Sequence, residues 1–199
     1  MSDLIALDVA VLLPPDVEVR AMALSASLPE SESQGLRLDA DHRPHVTLVQ
    51  QFVRTSDFDA TAARIDSVLH AQPPLLLSVS GGGASRRTVW MTIARTPQVV
   101  DLHERLMHAL RGVERRGGTT AAFVDRDTRP GDVRWVTMYR RQASFASFTP
   151  HVTVGHAAQP PRIEPFDFEA TTVAACHLGR FCTCRTMLRA WTLTGTASR

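Results

Sequence analysis

The string Pro-His-Val-Thr occurs twice in this chain, at Pro44–Thr47 and Pro150–Thr153, followed by Leu48 in the first copy and Val154 in the second. A composition of this kind yields roughly 0.5 repeated tetrapeptides by chance, so repetition alone establishes little. The residue types constrain more. On a strand, residues two apart share a face. His45 and Thr47 therefore project to one side while Val46 and Leu48 project to the other, and His151 and Thr153 are related in the same way to Val152 and Val154. A fold that accommodates both copies buries two aliphatic faces and presents two faces that each carry an imidazole beside a hydroxyl.

The order of elements around the copies supports a two-part arrangement. Leu4–Leu13 reads as a buried strand, and Pro14, Pro15 and Asp16 supply the start of a helix running to about Leu28. After the polar "PESESQG", the stretch "LRLDADHRPHVTLVQQFV" reads as extended, and "DFDATAARIDSVLHA" reads as a helix on the spacing of Phe58, Ala62, Ile65 and Leu69. "PPLLLSVSGGGASRRTVWMTIAR" is expected to form two strands around a glycine-rich turn. A helix from Pro97 to about Arg116 shows its apolar face through Leu102, Leu106, Leu110 and Val113, which leaves His103 and His108 on the exposed side. Thr119–Phe148, rich in arginine and aromatics, reads as a strand and a mobile loop. "FDFEATTVAACHLG" and "RTMLRAWTLTG" read as a closing antiparallel pair. Strand, helix, loop and motif strand thus occur over Leu4–Thr47 and again over Val89–Thr153, as two related lobes would require.

Composition excludes several classes. Hydrophobic residues at 44% and charged residues at 21% describe a folded soluble protein rather than a disordered one. A net charge of +2 is too mild for non-specific nucleic-acid binding but permits an anionic substrate. The run "LIALDVAVLL" contains Asp8 and lacks preceding basic residues, so it fits neither a signal peptide nor a membrane span. Cys176, Cys182 and Cys184 form an odd set without a CxxC pair, which fits a reducing cytoplasm and ordinary strand and turn positions rather than a metal site.

Two imidazoles and two hydroxyls that converge on one cleft make a phosphate site. Imidazole titrates near pH ~6.5, so one ring accepts a proton while the other donates one. Displacement at phosphorus needs both roles, one at the attacking oxygen and one at the leaving oxygen. Threonine hydroxyls donate to the non-bridging oxygens, where charge gathers. No metal or cofactor is needed for this chemistry. His45 and His151 are the catalytic candidates and Thr47 and Thr153 the phosphate-binding ones; the residues leave open which histidine is the acid.

The motifs His45-Val46-Thr47-Leu48 and His151-Val152-Thr153-Val154 resemble those of the 2H phosphoesterase superfamily, and more narrowly its 2′-5′ RNA ligase and cyclic phosphodiesterase branch. The resemblance implies one bilobal α+β domain over residues 1–199, with two pseudo-symmetric lobes, each an antiparallel sheet backed by helices, around a central cleft. It also implies metal-independent opening of a 2′,3′-cyclic phosphate, or related 2′-5′ phosphodiester chemistry, on an RNA end or small nucleotide by a monomer. The alternative is a non-catalytic nucleotide- or RNA-binding module with the same cleft. Where several relatives place a basic residue, five positions after the second motif's histidine, this chain has His156, and "VQQF" replaces an aromatic-and-glycine ending. Gly155 is expected on the face of His151 and Thr153. Further candidate substrate contacts are Tyr139 and Phe148, stacking on a base, and Arg140 and Arg141, meeting a phosphate.

Overall fold

The computed structural model describes residues 3–195, so both extremities of the expected 1–199 domain lie outside the described residues. Strand β1 (Leu4–Leu12) is apolar except at Asp8 and is buried along most of its length. Helix α1 (Pro15–Ser27) begins with proline in its first turn, where no N–H is needed, and places Asp16 and Glu18 at the positive end of its dipole. β2 (His45–Arg54) starts on the first motif histidine, and α2 (Phe58–Leu69) buries Ala62, Ile65 and Leu69. β3 (Leu75–Ser85) and β4 (Thr88–Ile93) form the expected hairpin. α3 (Pro97–Ala109) is capped by Thr96, whose Oγ1 accepts from the Val99 N–H, and it ends short of the expected Arg116 in a turn at Arg111–Val113.

The stretch expected to hold a strand and a mobile loop instead contains helix α4 (Pro130–Gln142). Asp132 accepts from the Arg129 N–H and closes the N-terminus, while only Val136 and Tyr139 provide buried apolar anchors. So narrow a stripe among three arginines, with a fourth at the N-cap, leaves little helical periodicity in the sequence. The remaining strands are β5 (His151–His156), β6 (Phe166–Ala170), β7 (Thr172–Leu178) and β8 (Cys184–Thr192). β7 and β8 pair as expected, but β6 pairs with β3 in the other sheet, and the chain crosses between sheets at the exposed Thr171.

Two four-stranded antiparallel sheets result, in the orders β2-β1-β7-β8 and β5-β4-β3-β6, and together with the helices they make the expected α+β architecture. Both motif strands are edge strands, and β2 lies against β5. Each lobe's helices cover the other lobe's motif strand: α1 packs on β5, and α3 and α4 pack on β2. The exposed edges, which would otherwise invite foreign pairing, are closed by this exchange. A continuous core follows, running from Val46 and Leu48 through Leu102 and Leu106 to Val152 and Val154.

His103, expected to be exposed, is fully buried in this core. It falls within the stripe Val99, Leu102, His103, Leu106 and Met107, whose spacing is that of a core-facing helix. Its Nδ1–H donates to the Leu48 carbonyl at 2.6 Å, and its Nε2 accepts from the Phe145 N–H at 2.9 Å. The ring stacks on Phe148 with centroids 3.9 Å apart, and the Tyr139 hydroxyl also donates to Leu48 O, at 3.3 Å. One buried imidazole therefore ties the first motif strand to the segment that leads into the second.

Candidate active site

Both motif strands are irregular at the same point. In β2, Thr47 lies opposite Ala10 and Val49 opposite Val9, so Leu48 is an extra residue; in β5, Thr153 lies opposite Trp90 and Gly155 opposite Val89, so Val154 is extra. A bulge shifts the alternation by one residue. The position five residues after each histidine therefore joins the histidine's face, and Gln50 and His156 occupy it. Gly155 turns the other way, correcting the expected placement. A Cβ on Gly155 would come within 2.7 Å of Leu28 Cδ1 on the α1 side, and its φ of 150° is one that glycine tolerates.

The two histidines are held alike. His45 Nδ1–H donates to Arg43 O at 2.8 Å and His151 Nδ1–H donates to Thr149 O at 2.7 Å, each to the residue two before it. Both Nε2 atoms are thereby left for chemistry. The two strands pack together, and the charge of His45 acts on His151.

Their surroundings differ. On the His45 side stands Asp8, fully buried, with Oδ2 3.4 Å from His45 Nε2. The same oxygen accepts from Thr47 Oγ1 at 2.8 Å and from Gln50 Nε2 at 2.6 Å. Burial disfavours the charged form of His45, but the Asp8 carboxylate and the Arg43 carbonyl outweigh it and push its pKa up to about 9. For His151, burial lowers the pKa, the Thr149 carbonyl opposes this only in part, and the charge of His45 lowers it further. The site thus sets an imidazolium against a neutral imidazole, the arrangement that acid–base transfer at phosphorus requires.

The hydroxyls are equally unlike. Thr47 is committed to Asp8, whereas Thr153, half-buried on the cleft face, makes no hydrogen bond among the described residues. Trp90, opposite Thr153, sits 5.2 Å from the His151 ring. Its indole lies over Gly83, where a Cβ would meet Trp90 Nε1 at 2.3 Å.

Several candidate contacts are placed elsewhere. Tyr139 and Phe148 are buried, one on Leu48 O and the other on His103, so neither ring offers a face to a base. Arg140 is committed to Glu114 and the Met107 carbonyl, while Arg141 is exposed on α4 and bonds to no motif residue. His156 reaches the motif face but is buried, donating through Nδ1 to Ser33 O at 3.1 Å and lying 5.3 Å from the Phe181 ring. Burial, together with the charges of Arg129 and Arg87, lowers its pKa. A neutral ring held this way presents an acceptor, which phosphate does not need.

Asp8 and Trp90 were missed by sequence reasoning. Asp8 is the lone charge in "LIALDVAVLL", and a charge inside a buried strand signals a partner. Exchanging Asp8 for Asn keeps the shape and removes the charge. The expected result is a fall in turnover of about 10-fold, with a urea midpoint unchanged or raised. A wild-type rate in the D8N variant would show that the carboxylate does not serve His45.

Two antiparallel sheets, with a histidine–threonine pair on each of two packed edge strands, define an α+β scaffold of two-histidine type. The family model described as the 2′-5′ RNA ligase superfamily matches residues 13–174, and the chain belongs to that superfamily, whose members are 2H phosphoesterases. No curated protein matches the chain. Among solved structures, the chain is similar to E. coli LigT complexed with phosphate, at 19% identity and TM-score 0.63, covering 97% of this chain and 99% of that one. It is also similar to TT0787 of Thermus thermophilus, at 16% identity and TM-score 0.66, covering 97% of this chain and 100% of the other. The complex of E. coli LigT with 3′-AMP aligns at 20% identity and TM-score 0.62, over 96% and 99% of the two chains. At such identities these structures speak for the fold. Among the described residues no helix is long and apolar enough to cross a membrane.

Proposed function

We propose that this protein opens 2′,3′-cyclic phosphates of RNA ends or small nucleotides, leaving a 2′-phosphate, with His151 as general base and His45 as general acid. The observation that carries the assignment is the asymmetry of charge: Asp8 faces His45 Nε2, and among the described residues no carboxylate contacts His151. His151 Nε2 takes a proton from water, whose oxygen attacks phosphorus. The bond from phosphorus to O3′ breaks, and His45 Nε2–H gives its proton to O3′. Thr153 donates to a non-bridging oxygen, while Thr47 and Gln50 hold Asp8 in place. Trp90, beside His151, offers an aromatic surface to the nucleoside in place of the buried Tyr139 and Phe148.

E. coli LigT has been crystallised with phosphate, 3′-AMP and ATP, and these ligands support a nucleotide-sized phosphate ester as the substrate here. All three cysteines are free, which suits a reducing cytoplasm. Phosphorus NMR on a panel of 2′,3′-cyclic nucleotides, cyclic-phosphate oligonucleotides and 2′-5′ dinucleotides tests the proposal. A 2′-phosphate product that persists after exhaustive chelation is expected. Formation of a 3′-phosphate, or no turnover of any panel member, would overturn it.

A further inference from the structure

The first sheet curls until the start of β8 meets the chain entering β2, where Arg43 forms a bridge with Cys184 and its N–H donates to Cys184 O at 3.4 Å. Inside the curl lie the small Ala10 and Ala174, and beside them Asp8, Cys176 and Cys184. Ligand atoms of Asp8, His45 and Cys184 all fall within 4.8 Å of one another. Cys176 lies in the same buried cluster as Cys184 and opposite Asp8 in the sheet. Cys182 is not part of this group, since its Sγ is directed to Asp132 O.

Asp8 Oδ1 is buried and has no hydrogen-bond partner among the described residues, while Oδ2 takes three contacts. A buried carboxylate oxygen left unmatched marks a place for a missing cation or water. The outer contacts are those of a metal centre. His45 gives Nδ1–H to a backbone carbonyl, which aims Nε2 inward, and Thr47 and Gln50 fix the carboxylate plane. One nitrogen, one carboxylate oxygen and thiol sulfur suit a borderline-soft ion; hard magnesium would gain nothing from sulfur. With Zn–S near ~2.3 Å and Zn–N near ~2.0 Å, donors on one tetrahedral ion stand roughly 3–4 Å apart, so three atoms already within 4.8 Å of one another need only draw inward.

We propose that Asp8, His45 and Cys184, with solvent in the fourth position, bind a thiophilic divalent ion such as zinc, which on binding shuts off turnover by occupying His45 Nε2. Zinc displaces the proton from that nitrogen and from the Cys184 thiol, releasing both to solvent. The acid that serves the leaving oxygen is then absent. The inhibitory half rests on the phosphoesterase reading above; the binding half does not.

The test uses the full chain, stripped with chelator, titrated with zinc by calorimetry and with cobalt by absorption, in wild type and in Cys184→Ser and Cys176→Ala. Each protein's turnover is compared with its own zinc-free rate, and circular dichroism checks folding. Wild type is expected to bind one ion per chain, show a thiolate-to-cobalt band and lose at least ~10-fold in rate, recovered with EDTA. C184S is expected to lose the band and bind at least ~10-fold more weakly, while C176A keeps the band and binds within a few-fold of wild type. No binding, binding without the band, or binding unchanged in C184S overturns the site. A full band with undiminished turnover overturns the inhibition alone. A full band in a protein that turns over no panel substrate leaves the site standing and sinks the phosphoesterase reading.

Discussion

Exchanging His45 for Ala lowers hydrolysis of a 2′,3′-cyclic nucleotide by ~10² or more, and exchanging His151 for Ala does the same, with the fold retained in both. Neither ring supports the core as His103 does: each is half-buried on the cleft face and tied to a carbonyl two residues back, with His45 also facing Asp8. The two variants part company when the leaving group changes. With bis(4-nitrophenyl) phosphate the departing phenolate needs no proton, so loss of an acid matters little while loss of a base still does. H45A should recover most of its deficit on this substrate and H151A should not. The reverse pattern would exchange the two roles, and a near wild-type rate in either variant on the cyclic substrate would remove that residue from the mechanism.

Replacing His103 by Ala is expected to lower stability by about 4 kcal/mol, read as a shift of the urea midpoint. The Phe145 N–H loses its acceptor, Leu48 O loses the shorter of its two donors, and a cavity opens against Phe148. The pH dependence has a definite sign. Burial lowers the His103 pKa, so below about 6.5 the unfolded chain takes up a proton that the folded chain refuses. The stability due to this group is complete above that value and is lost as pH falls toward the folded-state pKa. His103→Gln removes this part of the slope. An H103A midpoint equal to that of wild type would show that the imidazole does not join the lobes.

Much of this was legible in the residues themselves. Proline and acidic residues mark the start of α1, apolar spacing marks α2 and α3, and alternation in the motif strands places each histidine beside its threonine. The spacing that revealed α3 also contained His103, whose polarity disguised a core position. α4 escaped because its buried stripe is only Val136 and Tyr139 beyond the capping Asp132.

Chain-local chemistry sets strand and helix and the face each side chain takes, because these depend on neighbours a few residues away. The pairing of Asp8 with Gln50 does not, since it spans 42 residues and follows from how β1 and β2 register around the Leu48 bulge. The difference between the two imidazoles has the same origin. Identical tetrapeptides acquire opposite proton affinities because a buried carboxylate lies across one edge strand and, among the described residues, none lies across the other, and burial and long-range charge are properties of the assembled molecule.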